Sequence, residues 1–373
     1  MNIKEFAYST QRLLEARTRL PFKRGHVYEL LAAAAGYCSL AALHADAVFI
    51  QHPLLSARMA HPGLVRHRCV ALGYPADMSL VVSMVLHSQL ADREIGVIRF
   101  DELIACIGEG SLSLHRESEV EESRDEDESD QWLERDELGT PFLLDALEAA
   151  ASKHNATAHY VLALLQDPVD EYRNEDEGND YWYNQERSGH ILTGVNKEWA
   201  DTHARYLERC RDFERHLRMA AKLGCQRALL DLADRFDDPA FFEKTPLPEG
   251  VDPSWAAEVA LRMGRHDDVV TWLKVAAKSG DVAAMRQLIE EHDQGDPLEC
   301  WTWFYLAELL GTDLARDEYF AIDEHGSLYD DDAGGPMYVD GRGGVKLKPI
   351  DAHEDAAARH NAQEIFANIK KDI

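Results

Sequence analysis

One acidic group near the carboxyl end of the chain could bind a metal ion. Asp323, Glu324 and the run Asp330–Asp332 offer carboxylate oxygens, which hard divalent cations prefer. An EF-hand loop also needs a glycine at its sixth position and a glutamate at its twelfth, and this spacing has neither. Turn formation and helix capping account better for these aspartates, so no metal ligand is predicted.

Two other groups could act on phosphate or zinc, but their spacing is wrong. GRGGVK, from Gly341, lacks the Walker spacing and a following helix, which favours a hairpin turn. Four histidines fall within a short stretch without the H-x-x-x-H spacing of a zinc pair: His44, His52, His61 and His67. Nucleophile elbows, Rossmann fingerprints and Cys–His pairings are also missing from the sequence. The sequence therefore predicts no catalytic residue and no cofactor, and we expect that the protein is not an enzyme.

An aromatic cluster lies in the polar stretch 167–190. Tyr181, Trp182 and Tyr183 are surrounded there by acidic residues, and exposed aromatic side chains are enriched at binding hot spots. These three residues, with Asp330, Asp331 and Asp332, are the predicted partner contacts. The alternative is that the rings cover an apolar edge of the fold. Trp301, Trp303 and Tyr305, by contrast, are predicted to be core residues.

The charge of the chain is strongly acidic and unevenly distributed. The formal net charge is −29, yet residues 1–110 are nearly neutral, so the remainder carries all of the excess. Such a field repels phosphate backbones and attracts basic partners. We therefore expect a protein or peptide partner, most simply a basic one, and no nucleic acid. Solubility alone is the other explanation for the charge.

The composition indicates a soluble globular protein. Hydrophobic residues make up 45% of the chain and charged residues 29%, with no apolar run of membrane-spanning length and no secretory signal pattern. The six cysteines form no CxxC pair, which favours reduced thiols. We expect a cytoplasmic protein without membrane contact. The oligomeric state stays open.

One sequence pattern recurs along the chain. LRMAAKLGCQRALLDLA, from Leu217, and LKVAAKSGDVAAMRQLI, from Leu273, share the frame L-x-x-A-A-x-x-G-x-x-x-A-x-x-x-L. Weaker copies cover 147–162, where His154 takes the glycine position, 301–320 and 28–43. The glycine suits the left-handed end of a first helix, and Asn155, Asp281 or the pair Thr312 and Asp313 can cap a second. Each copy therefore predicts a helix hairpin.

This frame resembles the Sel-one-like repeat, a relative of the tetratricopeptide repeat. The resemblance implies a stack of helix hairpins used for protein–protein interaction, and it carries over no catalytic residue. The copies stand 70, 56 and 31 residues apart, which is less even than in that family. The predicted fold class is all-α: an irregular α/α superhelix with an N-terminal helical region and a small β-hairpin insertion near the C-terminus.

Composition shifts divide the chain into predicted domains. We expect an N-terminal helical domain at 1–110, an acidic linker at 111–139 and a helical-repeat domain at 140–373. The repeat domain carries a loop insertion at 167–198 and a β-hairpin at 321–350. The hairpin strands are predicted at 337–339 and 345–347, on either side of the turn DGRGG.

Three functions fit these features. The first is an adaptor or scaffold whose acidic repeat surface binds a protein or peptide. The second is a regulatory inhibitor of a basic, nucleic-acid-binding protein, and the third is an unrecognised enzyme with a site at the domain junction.

Overall fold

The computed structural model describes most of the chain: residues 2–59, 61–109, 111–113, 132–168, 179–244, 247–248, 250–292, 295–323, 329 and 336–370. Within these residues the fold is mostly α-helical, as predicted, with three two-stranded antiparallel sheets. No helix in this part of the chain combines the length and the apolar character that a membrane span requires.

The chain forms two compact units, residues 1–228 and residues 229–373. The helices of the first unit are α1 (Ile3–Thr18), α2 (Arg24–Ala34), α3 (Leu40–Asp46), α4 (Pro53–Ala57), α5 (Pro62–Ala71), α6 (Ser79–Asp92), α7 (Phe100–Glu109), α8 (Pro141–Ala151), α9 (Ala156–Leu165), α10 (Asn179–Arg187) and α11 (Val195–Lys222). Helix α12 (Gln226–Phe236) contains the boundary. The second unit has α13 (Pro253–Arg262), α14 (His266–Lys278), α15 (Val282–Gln287), α16 (Pro297–Leu309) and α17 (Ala352–Ile369).

Each sheet is a single antiparallel pair of short strands. β1 (Ala47–Gln51) pairs with β2 (Ile95–Arg99), and β3 (Ser111–Ser113) pairs with β4 (Trp132–Glu134). In the second unit, β5 (Glu318–Ile322) pairs with β6 (Tyr338–Arg342). Only the third pair lies near a predicted strand, because the first two are built from short apolar runs without clear alternation.

One hydrophobic core of the first unit extends across the segment predicted to be a linker. Leu133 and Leu138 are fully buried and pack with side chains of β1, β2, α7, α8 and α9. The Cys106 thiol lies 3.3 Å from the carbonyl oxygen of Leu133. The carboxyl end of 111–139 therefore belongs to a core shared with the predicted N-terminal domain, and 114–131 lie outside the described residues.

The backbone angles of the repeat frame confirm that the first helix of each copy ends at the predicted left-handed position. Gly224, Gly280 and Gly311 have φ angles of +100°, +103° and +92°, and Gly36 has +90°. His154, which replaces glycine in the third copy, also adopts the left-handed conformation, with φ +65°. The frame therefore marked the end of a helix in all five copies.

The caps of the second helices are confirmed in two copies and wrong in a third. The Asn155 side chain accepts a hydrogen bond from the Ala158 backbone at 2.8 Å, and Asp281 accepts one from Ala284 at 3.0 Å. The Asp313 side chain, however, accepts a hydrogen bond from the Ala315 backbone in a turn, and the next element is β5 rather than a helix. Glycine residues 343–344 and strand β5 occupy the space after this turn, so the fourth hairpin is incomplete.

Two further predictions need correction. The segment 167–198, expected to be a loop, contains α10 and the start of α11, while 169–178 lie outside the described residues. The predicted strand 345–347 is not a strand, and the glycine turn DGRGG begins inside β6, whose partner is β5. Pairing between distant strands depends on long-range contacts, which a local turn pattern does not record.

His159, on α9, and His216, on α11, meet where these two helices pack against each other. Their Nδ1 atoms lie 3.0 Å apart, so one nitrogen donates to the other. His216 is almost fully buried, and burial, followed by the nearby Arg215 guanidinium, lowers its pKa to about 4. Burial also lowers the pKa of His159. Both rings are therefore neutral at pH 7.

We predict that this pair makes folding stability depend on pH. The unfolded histidines take up protons below their ordinary pKa of 6.5, whereas folded His216 resists protonation until about pH 4. Stability is therefore lost as pH falls from about 6.5 towards 4. A His159→Leu/His216→Leu variant, which removes both partners, should lose less stability between pH 7 and pH 5 than the wild type in urea denaturation. Equal losses would contradict the assignment.

A second prediction concerns the left-handed turns. Gly224→Ala should destabilise the protein by about 1 kcal/mol through backbone strain alone, because an added Cβ meets no atom within 4 Å. His154→Gly should stabilise it by about 0.5–1 kcal/mol at the equivalent position. Urea denaturation at pH 7 measures both. Changes of the same sign for the two variants would show that the frame has been misaligned.

Candidate partner-binding site

The predicted aromatic contacts lie on helix α10 and point in different directions. Tyr181 is 54% exposed, and its ring lies against that of Trp182 at 5.1 Å. Tyr183 packs on His203 of α11, with ring centres 5.2 Å apart, and its hydroxyl accepts a hydrogen bond from Arg187. Tyr181 is therefore available to a partner, whereas Tyr183 joins two helices. Asp330, Asp331 and Asp332 lie outside the described residues.

An acidic face of α11 continues this surface. Glu198, Asp201 and Glu208 recur at helical spacing along an open groove, and Trp199 is 39% exposed beside them. Lys197 bridges the carboxylates of Glu186 and Asp201 at 2.7 and 2.6 Å, which fixes α10 on α11. This face offers carboxylates and scattered rings, but no enclosed binding pocket.

Several exposed apolar side chains lie together on the antiparallel pair of β5 and β6, here called the ribbon. Four of its large side chains are more than half exposed: Tyr319 58%, Phe320 54%, Tyr338 52% and Val339 69%. In the observed register Ala321 opposes Val339, and Ile322 opposes Tyr338, so apolar side chains occupy both faces. Isolated two-stranded ribbons are marginally stable in water, so this one depends on its attachment to the unit.

A buried arginine anchors the base of the ribbon. Arg286, on α15, is 2% exposed and donates to the carbonyl oxygen of Gly343 and to the carboxylate of Glu290, both at 3.3 Å. A second guanidinium nitrogen lies 3.8 Å from the Glu318 carboxylate, which also pairs with Arg342. A buried guanidinium is stable only with such partners, so the charge network fixes where the ribbon leaves the helices.

A cavity of about 580 Å³ adjoins the ribbon. Its wall contains the rings of Trp301 and Tyr319 and the carboxylates of Glu290 and Asp317. The Trp301 indole donates to the carbonyl oxygen of Lys348 at 2.8 Å, so the ring is held in place. Trp301 was predicted to be a core residue like Trp303, which is 2% exposed, but it is only partly buried and lines this cavity.

The chemistry of this cavity suits a cationic side chain. Aromatic faces attract ammonium and guanidinium groups, and carboxylates pair with them. Lys346 and Lys348 also belong to the lining, but both residues are exposed. The cavity therefore offers aromatic and acidic groups to a lysine or arginine, and two lysines to a carboxylate beside it.

The sequence predicted a β-hairpin at 321–350 with one strand at 337–339, which overlaps β6, but strand β5 and the cavity were not predicted. The first strand, EYFAI, falls at the end of the fourth repeat copy, which was expected to continue as a helix. Its aromatic and β-branched composition, followed by MYVDG, was a usable strand signal. Among the described residues, no group of three or more potential ligands could hold a metal ion.

We predict that the packing of the segment that forms one wall of the cavity requires glycine at position 344. A Cβ on Gly344 would lie 1.8 Å from the carbonyl oxygen of Ala315, whereas one on Gly343 would approach no atom closer than 3.6 Å. Gly344→Ala should therefore destabilise the second unit by about 2 kcal/mol, and Gly343→Ala by much less. Thermal unfolding of the two variants measures this difference. Equal melting temperatures would contradict the packing of this segment.

The fold and this site were compared with known proteins. No family model, no curated protein and no solved structure matches the chain.

Proposed function

We propose that this protein is a helical-repeat adaptor that binds a basic protein or peptide through the ribbon and its adjoining cavity. The observation that carries the proposal is the exposure of Tyr319, Phe320, Tyr338 and Val339 on one small element. We further propose that the hairpins stack as an irregular superhelix of the Sel-one-like kind, in which the ribbon is an insertion. The protein acts in the cytoplasm and has no catalytic step in this proposal.

The apolar side chains of the ribbon favour a protein partner. Contiguous exposed apolar surface is uncommon on monomeric proteins, and it marks interaction sites when polar residues surround it. Here Glu318, Asp340 and Arg342 lie among the exposed rings. Burial of the rings by a partner would supply affinity, since each Å² of apolar surface removed from water contributes about 25 cal/mol.

The charges favour a basic partner. The chain carries 68 acidic against 39 basic side chains, and Glu290 and Asp317 line the cavity next to the ribbon. Long-range attraction accelerates the encounter, and short-range pairing then selects the side chain that enters the cavity. A lysine or arginine would meet the rings of Trp301 and Tyr319 there.

A peptide selection tests this function. Selection of a random displayed peptide library on the full chain should enrich sequences that place lysine or arginine beside apolar residues. A Phe320→Ser/Tyr338→Ser/Val339→Ser variant should bind an enriched peptide at least about tenfold more weakly, because truncated hot spots each cost more than about 1 kcal/mol. Fluorescence anisotropy measures the affinity, and the affinity should fall between 50 and 500 mM salt.

A matched control separates the ribbon from general exposure of apolar groups. Val70, Leu80 and Met84 are 47%, 53% and 65% exposed in the first unit, and their combined replacement by serine should leave the affinity unchanged. Enrichment of acidic peptides, or equal affinity of the ribbon variant and the wild type, would contradict the proposal.

A further inference from the structure

The first unit contains a second cavity, whose lining differs chemically from that of the cavity beside the ribbon. It measures about 290 Å³ and lies among α1, α2, α3, β1 and α8. Most of its lining is apolar: Ile3, Leu40, Val48, Phe49, Ala146 and Ala149. A lining of this kind, with a few polar groups, is typical of small-molecule sites.

The charged side chains of this lining are both positive. Lys4 and Lys153 line the cavity, and no aspartate or glutamate does. Neither lysine takes part in an ion pair among the residues that the structure describes, although acidic side chains far outnumber basic ones in the chain. Both lysines are exposed, so this apolar cavity carries two ammonium groups on its solvent side, in an otherwise acidic protein.

A histidine in the same lining has an unused hydrogen-bonding atom. The Nδ1 atom of His44 is buried and has no hydrogen-bond partner within the described part of the chain. Burial, followed by the charge of Lys153, lowers the pKa of His44 to about 4, so the ring is neutral at pH 7. Its backbone oxygen accepts a 2.6 Å hydrogen bond from Asn155, which fixes the residue. The Nδ1 atom is enclosed by protein atoms and is not itself open to the cavity, so the ring contributes to the wall of the cavity.

A tyrosine supplies another donor. Tyr28 lines the cavity, and burial raises the pKa of its hydroxyl, with the nearby Arg24 opposing and Asp145 supporting the shift. The hydroxyl therefore keeps its proton across the neutral range.

We propose that this cavity binds a small organic carboxylate with an apolar body. The apolar wall takes the hydrocarbon part, and the carboxylate pairs with the exposed ammonium groups of Lys4 and Lys153. A single negative charge matches this site better than a phosphate dianion, because a dianion loses more hydration on entering an apolar cavity. The proposal concerns the first unit only and does not depend on the proposed function.

Three ligands that share one hydrocarbon chain test the proposal. Isothermal titration calorimetry on the full chain at pH 7 would compare octanoate, octan-1-ol and octylamine, each below its aggregation concentration. Octanoate should bind at least about tenfold more tightly than octanol, because charged hydrogen bonds contribute about 1.5–3 kcal/mol, and octylamine should bind most weakly. Octyl phosphate should bind more weakly than octanoate.

Two variants locate the headgroup. A Lys4→Met/Lys153→Met variant should lose most of the preference for octanoate over octanol, since it removes both charges and keeps the apolar stems. Lys222→Met, on the exposed end of α11, is the matched control and should behave as the wild type. Absence of octanoate binding, equal affinities for octanoate and octanol, or an unchanged preference in the double variant would each overturn the proposal.

Discussion

Each copy of the repeat frame depends on one residue that takes the left-handed backbone conformation where its first helix ends. Gly36, Gly224, Gly280 and Gly311 supply it at little cost, and His154 supplies it with strain. The turn brings the two helices close together, and the alanines of the frame leave room for that approach. Ala158, Ala220, Ala276 and Ala284 are all buried as a result. This local constraint organises the helices on which both candidate sites are built.

The local features of the fold could be predicted, because they depend on residues close in sequence. The left-handed turns and the caps at Asn155 and Asp281 follow from glycine or asparagine chemistry within a few residues. The hairpin of α13 and α14, which turns at Gly264, carries the same left-handed signal but lacks the full alanine frame, and it went unrecognised.

Features that depend on distant residues could not be predicted. The pairing of β5 with β6 requires a strand that the repeat frame had assigned to a helix. The register of this pair depends on contacts between residues that are distant in sequence. Burial of Arg286 follows from partners more than 30 positions away, such as Gly343. The cavity beside the ribbon and the lysine-lined cavity likewise combine elements far apart in sequence. Of the predicted aromatic contacts, Tyr181 is the one that is more than half exposed.

The two cavities differ in the charges that they present, although both belong to an acidic chain. The cavity by the ribbon is lined by two carboxylates, Glu290 and Asp317, and by the exposed Lys346 and Lys348, whereas the charged side chains that line the other, Lys4 and Lys153, are both positive. Such differences separate the ligands that each can accept, because a charge buried without a partner is costly. The proposed partner and the proposed carboxylate would therefore not compete through charge for the same site.

Hydrogen–deuterium exchange with a bound peptide tests the central claim most directly. A basic peptide selected on the full chain would be added at saturating concentration, and exchange would be followed along the whole chain. The account predicts slower exchange at the β5 and β6 amides and at 343–348, with little change at α10 and α11. Protection confined to α10 and α11, or none at the ribbon, would contradict the ribbon as the partner-binding site.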